Sequence, residues 1–222
     1  MVHRDVHTLL LELVSPSRAA AGTFAREQQL LNGLMGNFAW MGRRLPQLVR
    51  PGEGLLELGA GRGDLGLALA RQRCFSVYAG VDRRPRPAAW PAGWDWWATD
   101  ALDFQHYDRF PVVTANLFLH LLSAEELAAL GRTLRHSARV IVACEPARRR
   151  RHLWQLALLG ALGLSRPTCR FARAGVRAGF IADELPRALG LSPLNWTWDV
   201  TVDWRGSYRM VAMRRPRFAA HA

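Results

Sequence analysis

The chain predicts an α/β fold: a doubly wound, mainly parallel sheet of seven strands, with helices ahead of it and an antiparallel strand pair at its C-terminal end. Three observations carry that reading. Short apolar runs alternate with helix-periodic stretches through the middle of the chain, which implies βαβ units and parallel strands. The run "GLLEL" breaks directly into the glycine-rich "GAGRGDLG", the pattern of a buried strand turning into a helix. Near the end, "LNWTWDVTVDWRGSYRMVAMRR" alternates like two strands joined at Arg205-Gly206.

In order, residues 1–49 are expected to form an N-terminal helical segment capping the ligand crevice. There "DVHTLLLELV" and "FAREQQLLNGLMGNFAWMGRRLPQLV" repeat apolar positions every three or four residues. Pro51-Gly52 breaks the chain, and residues 50–222 form the sheet domain. Its strands are read as "GLLEL", "CFSVYAGVD", "WDWWATD", "FPVVTANLFLHLL" and "ARVIVACEP", with "DLGLALARQR" as the first helix between them. Ser123 with Glu126 three residues on is a capping-box pattern opening "SAEELAALGRTLRHS" as an amphipathic helix. Residues 148–190 are expected as a helical insertion, with "RRRRHLWQLALLGALGL" and "AGFIADELPRALGL" as its helices. In such folds ligands sit at the carboxyl ends of the strands, where each of the interesting turns below falls.

With 222 residues, half of them apolar and 22% charged, the chain suits a single hydrophobic core and is not of the disordered class. No stretch reaches the roughly 18 consecutive apolar residues of a membrane-spanning helix. "MVHRDVHTLL" carries His, Arg and Asp where a signal peptide has a smooth apolar segment, so a cytoplasmic location is expected. Cys74, Cys144 and Cys169 lie far apart without C-x-x-C spacing, which reads as three reduced core thiols, with no disulfide framework and no metal site. The net charge of +12 invites a nucleic-acid partner, but every one of the 30 basic residues is Arg. Phosphate binding has no need to exclude Lys, whereas a GC-rich coding bias removes it everywhere, so the charge is read as composition and nucleic acid is disfavoured.

Gly59, Gly61 and Gly63, with Ala60 between the first two, let the backbone turn tightly and approach a ligand, and Asp64 opens the next helix. Two cofactors fit. Gly61-x-Gly63-x-x-Gly66 matches the dinucleotide fingerprint, with a pyrophosphate on the helix N-terminus. Glu57-x-Gly59-x-Gly61-x-Gly63 instead sets a carboxylate at the strand end, facing the ligand. Glu57 and Asp64 would oppose a pyrophosphate but favour S-adenosylmethionine, a sulfonium cation with an ammonium group. Asp82 ends the second strand, where an acid can accept both ribose hydroxyls, and Asp100-Ala101 follows the third, where a carboxylate could take the adenine amino group. Trp96 and Trp97 read first as core and second as an aromatic wall for adenine.

In this order and at these intervals, "LLELGAGRG", "GVD", "TDALDF", "VVTANLFLHLLSAEEL" and "RVIVACEP" resemble the class I S-adenosylmethionine-dependent methyltransferases, over about residues 50–215. That resemblance implies a Rossmann-like sheet and S-adenosylmethionine as cofactor. The N-L-x-L-H segment, the C-E-P after the fifth strand and "GVRAGFIADEL" resemble a bacterial small-molecule branch related to the ubiquinone/menaquinone methyltransferases. It implies that Glu57, Gly59, Ala60, Gly61 and Gly63 line the methionine end, Asp82 with Arg83 the ribose, Asp100 and Ala101 the adenine, and that Asn116 and Leu117 lie beside the sulfonium. Members of that branch have a His-Asp pair before the "VRAGF" segment, where this chain reads "CRFARAGVRAGF".

The reaction so implied moves a methyl group to oxygen, in preference to carbon, of a small and lipophilic phenolic, quinol or polyketide-type acceptor. A phenol or enol must lose its proton, and a positioned base adds about 10² to 10⁴ fold. His120 is the first candidate because it follows the fourth strand within a helical turn of Asn116, and histidine is the residue type best suited to moving a proton at physiological pH. Glu145, ending the fifth strand, is the second, as a base or an acceptor for substrate. His7 and His152 are weaker candidates in segments that could cover the pocket. The arginines at 148–151, followed by Trp154 and leucines through 164, read as a solvated turn before a core helix or as a peripheral membrane contact. Three other functions stay open: an RNA methyltransferase, a non-catalytic cofactor-binding partner protein and an NAD-dependent dehydrogenase.

Overall fold

The computed structural model describes residues 4–7, 21–72 and 75–216, so most of the first expected helix, and Cys74, fall outside the described residues. The strands are β1 Gly54–Leu58, β2 Val77–Asp82, β3 Asp95–Ala98, β4 Val112–Asn116, β5 Val140–Pro146, β6 Trp196–Val202 and β7 Ser207–Arg214. They lie in one sheet in the order β3-β2-β1-β4-β5-β7-β6. The first five are parallel, and β7 runs antiparallel between β5 and β6. The strand order reverses between β1 and β4, which opens a crevice at their carboxyl ends.

The helices are α1 Ala21–Met35, α2 Asn37–Leu48, α3 Asp64–Ala70, α4 Ala124–Ser137, α5 Arg150–Ala161, α6 Arg166–Ala178 and α7 Glu184–Ala188. Strand alternation assigns side chains to two layers. Leu56, Leu58, Val113, Ala115, Ile141 and Ala143 bury against Leu127, Leu130 and Leu134 of α4. Leu55, Val112, Val140 and Val142 bury on the other face against Met41 and Leu45 of α2 and Leu65 and Leu69 of α3. Burial on both faces is why β1 and β5 read as unbroken apolar runs. The Ser123–Glu126 box forms as expected: the Ser123 N–H donates to Glu126 Oε2 at 2.7 Å, and the Glu126 N–H donates to Ser123 Oγ at 3.1 Å.

Besides strands shorter at their ends, the structure departs from expectation at three element boundaries. The second helical stretch expected before residue 50, "FAREQQLLNGLMGNFAWMGRRLPQLV", breaks at Gly36, whose φ of 66° takes the left-handed conformation between α1 and α2. The fourth strand stops at Asn116, because Leu117 turns to φ 53° and a 3₁₀ turn, Leu119–Leu121, follows. The helix expected over 178–191 shrinks to Glu184–Ala188, while Arg166–Ala178 forms a thirteen-residue helix capped by Ser165. The buried side of α6 consists of Thr168, Cys169, Ala174, Gly175, Val176 and Ala178, so it shows no stripe of large apolar residues.

Candidate active site

The glycine turn joins β1 to α3 with Gly59, Gly61 and Gly63 at φ 62°, 61° and 75°, a region that only glycine enters cheaply. Space is short at two of them. A Cβ on Gly59 would run into the Phe118 ring, and one on Gly63 would come within 2.8 Å of Trp90. At Gly61 it would meet nothing nearer than 3.8 Å, so the open side of the turn lies there. The Ala60 N–H donates to Val81 O at 3.1 Å, tying the turn to β2.

Glu57 is placed otherwise than expected. Its position on β1 points it toward α3 rather than outward. It is 3% exposed, accepts the Tyr78 hydroxyl at 2.7 Å and takes the Gly66 N–H. Burial pushes its carboxyl up to about 8 against the pull of the Tyr78 hydrogen bond, and the nearby Asp64 and Asp82 charges raise it further. Glu57 therefore holds the turn from beneath, as a mostly neutral group near pH 7. Asp64, at the start of α3, takes a long bond from Gln29 of α1 at 3.3 Å.

Asp82 stands at the end of β2, where Oδ2 accepts the Gly61 N–H at 2.7 Å and Oδ1 the Arg84 N–H at 2.9 Å. Each oxygen keeps a further lone pair beyond these bonds. Asp100 accepts the Leu102 N–H at 2.8 Å and is paired with Arg83, whose Nε lies 2.8 Å away. Partial burial raises the Asp100 carboxyl, but the Leu102 amide and the Arg83 guanidinium outweigh it and hold it below its ordinary value. Ala101 is buried, its carbonyl accepting the Tyr107 hydroxyl at 2.6 Å. Trp96 and Trp97 are half-buried and pack against the core: Trp96 edge-on to Trp90 at 4.9 Å, Trp97 against Phe104 at 5.1 Å.

Beyond β4 the chain turns through Leu117, whose N–H donates to Cys144 O at 2.8 Å. A left-handed leucine costs on the order of 1–3 kcal/mol and is held only where its surroundings demand it. Asn116 Oδ1 accepts from Asn37 Nδ2 at 2.9 Å, and Asn37 Oδ1 accepts the Ser207 hydroxyl at 2.6 Å. This chain of bonds fastens α2 to β4 and β7.

His120 and Glu145 meet beneath that turn. The His120 Nδ1 lies 2.7 Å from Glu145 Oε2, with both side chains buried. Glu145 Oε1 also accepts the Phe118 and Leu119 N–H groups at 3.2 and 2.8 Å, and Oε2 the His120 N–H at 3.3 Å. With these bonds and no exposure, Glu145 is not open to substrate, which corrects the reading of it as a second base or a substrate acceptor. It orients His120: a carboxylate on Nδ1 assigns the proton there and leaves Nε2 as the basic atom. Nε2 faces α6 at Gly175, where an added Cβ would stand 3.7 Å away.

His152 is also corrected. It is buried, hydrogen-bonded to Gln155 at 2.8 Å and packed under Gly206 of the β6–β7 turn, so it supports that hairpin. His7 is exposed. Arg4, which no sequence signal marked, donates from Nη2 to the carbonyls of Leu119, His120 and Leu122 at 3.2, 3.0 and 2.6 Å. Its Nε donates to Ala178 O at 2.8 Å, and its guanidinium lies 4.7 Å from the centre of the Phe180 ring. One side chain thus clamps the His120 turn to the end of α6.

The plantazolicin methyltransferase BpumL, in complex with SAH, has the same architecture, with a TM-score of 0.71 at 11% identity over 95% of each chain. This is the class I methyltransferase fold. The methyltransferase fold is also matched by the methyltransferase domain of bacterial CtHen1-C, with a TM-score of 0.61 at 12% identity over 82% of this chain and 98% of that one. The pyocyanin biosynthetic protein PhzM gives 0.55 at 14% identity over 78% of this chain and 54% of that one. No family model matches the sequence, and no curated protein matches it.

Proposed function

We propose that the chain is an S-adenosylmethionine-dependent methyltransferase that methylates an oxygen of a small phenolic, quinol or polyketide-type acceptor. The observation that carries the reading is the buried His120–Glu145 pair at the ends of β4 and β5, in a methyltransferase fold that bears Asp82 at the end of β2 and Asp100 just past β3, on the other side of β1. The residues fit the cofactor. The turn at Gly61 is open, Asp82 has lone pairs for a ribose diol, and the partly buried Asp100 is held in its charged form.

When bound, S-adenosylmethionine supplies an electrophilic methyl carbon on sulfur. Gly59, Ala60, Gly61 and Gly63, above Glu57, would cradle the methionine end, and Asp82, beside Arg83, the ribose. Asp100 and Ala101 would hold the adenine edge, with Asn116 and Leu117 at the reacting sulfur. The chain then aligns the acceptor and excludes water, from which much of the rate of an in-line displacement can come. His120 Nε2 takes the proton of the acceptor hydroxyl, and the imidazolium so formed is stabilised by Glu145 across 2.7 Å. Helices α1 and α2 serve as the cap. Gln29 reaches Asp64 at the glycine turn, and Glu27 accepts the Ser165 N–H at 2.9 Å at the start of α6. Residues 148–190 form the acceptor side.

Calorimetry with S-adenosylmethionine tests the cofactor, and absence of binding would overturn the reading. For the base, His120→Ala is expected to lower turnover at least about tenfold with cofactor affinity kept. Unchanged turnover would remove His120 from the mechanism. Radiolabelled methyl that enters total RNA rather than phenolic extracts would transfer the proposal to nucleic acid, and binding without turnover across both would favour a partner protein.

A further inference from the structure

We propose that α5 and α6 form a docking surface for an anionic phospholipid membrane. From residue 146 to residue 182 the chain carries eight arginines and no Asp or Glu. A coding bias that replaces Lys by Arg does not clear acids from one segment, so this charge is local to the two helices. On α6, Arg166, Arg170, Arg173 and Arg177 recur at intervals of four, three and four residues, which sets them along one side of the helix, and all four are exposed. Arg149 and Arg150 at the start of α5 are exposed as well. Arg148 differs, since it turns inward to Glu184.

The apolar half of the surface lies on α5. His152 and Leu156 face inward, and Gly160 packs on Cys169 of α6, where a Cβ would come within 3.1 Å of the sulfur. The opposite side carries Trp154, Leu158 and, just past the helix end, Leu162, which are 78%, 62% and 75% exposed. A tryptophan and two leucines facing water, beside rows of arginine, match an interfacial helix that seats apolar side chains among acyl chains while guanidinium groups meet phosphate. An RNA backbone would use the arginines but leave the leucines in water, so the pairing selects a lipid surface. The same α6 brings Gly175 to the His120 ring, which places the docked face on the element next to the candidate base.

Vesicle sedimentation of the intact chain tests this without any cofactor or acceptor, so its outcome is independent of the methyltransferase reading. Partition into vesicles carrying phosphatidylserine is expected to exceed that into phosphatidylcholine alone by about tenfold or more, and to fall as salt is raised. The exposed double substitution Trp154→Ser with Leu158→Ser is expected to reduce partition about tenfold, with the circular dichroism spectrum unchanged. Arg166→Gln with Arg173→Gln should weaken it by about fivefold per residue. Three results would overturn the proposal: no partition into anionic vesicles, partition indifferent to Trp154 and Leu158, or duplex RNA that binds and is not displaced by anionic vesicles.

Discussion

Glu57→Gln isolates one buried carboxyl and has an outcome whose sign is fixed by the structure. Glu57 releases its proton near 4.5 in the unfolded chain and near 8 in the folded one, because burial beneath the glycine turn penalises the charge. The native state therefore retains a proton that the unfolded state has lost, and stability falls as pH rises from about 4.5 to about 8 and is level outside that window. At about 1.4 kcal/mol per pH unit, the ceiling on this loss is about 5 kcal/mol. Glutamine cannot ionise, keeps a carbonyl for the Gly66 N–H and can turn its amide to the Tyr78 oxygen. Urea unfolding of both proteins across the window measures the difference directly, since the other titrating groups cancel. The variant should be the more stable at alkaline pH by at least about 1 kcal/mol and should lose this advantage in acid. Parallel stability curves, or an advantage that grows in acid, would refute the burial argument.

Four further outcomes are expected. Ser123→Ala removes the acceptor of the Glu126 N–H and should cost about 1 kcal/mol in thermal or urea unfolding. Gly59→Ala forces a side chain to φ 62° against Phe118, so S-adenosylmethionine binding by calorimetry should be lost and the melting temperature lowered. Arg4→Ala should lower kcat and displace the pH–rate profile, with partial rescue by Arg4→Lys, because the carbonyls that hold the His120 turn lose their shared donor; an unmoved profile would reduce Arg4 to a structural tie. Burial pushes the Cys144 thiol up, so alkylating reagents should leave it unmodified in the native protein and label it after unfolding, as read by mass spectrometry.

The strand pattern, the capping box and the glycine turn were legible because each rests on local chemistry. An unbroken apolar run, a Ser with Glu three residues on, and glycines where φ must be positive all carry their reasons within a few residues. The third strand was placed correctly but overextended to seven residues where four pair, since chain ends of strands depend on partners rather than on composition. Helix α6 escaped because its buried side is small residues fitted against neighbours, and a periodic reading weighs size. The break at Gly36 escaped for a related reason, as the apolar spacing on either side of it continues.

By itself, then, the sequence determined the sheet, its turns and the inventory of acids and histidines at the strand ends. Only the tertiary structure decided what those groups do. Glu57 went from a charge facing a ligand to a neutral prop once its side of β1 was covered by α3. Glu145 went from a base to the carboxylate that orients His120 once three backbone amides converged on it. Arg4 acquired a role because the fold brings residue 4 to residues 119–122 and 178. Burial and partner geometry set the protonation and direction of a polar side chain, and both depend on contacts between residues far apart in the chain.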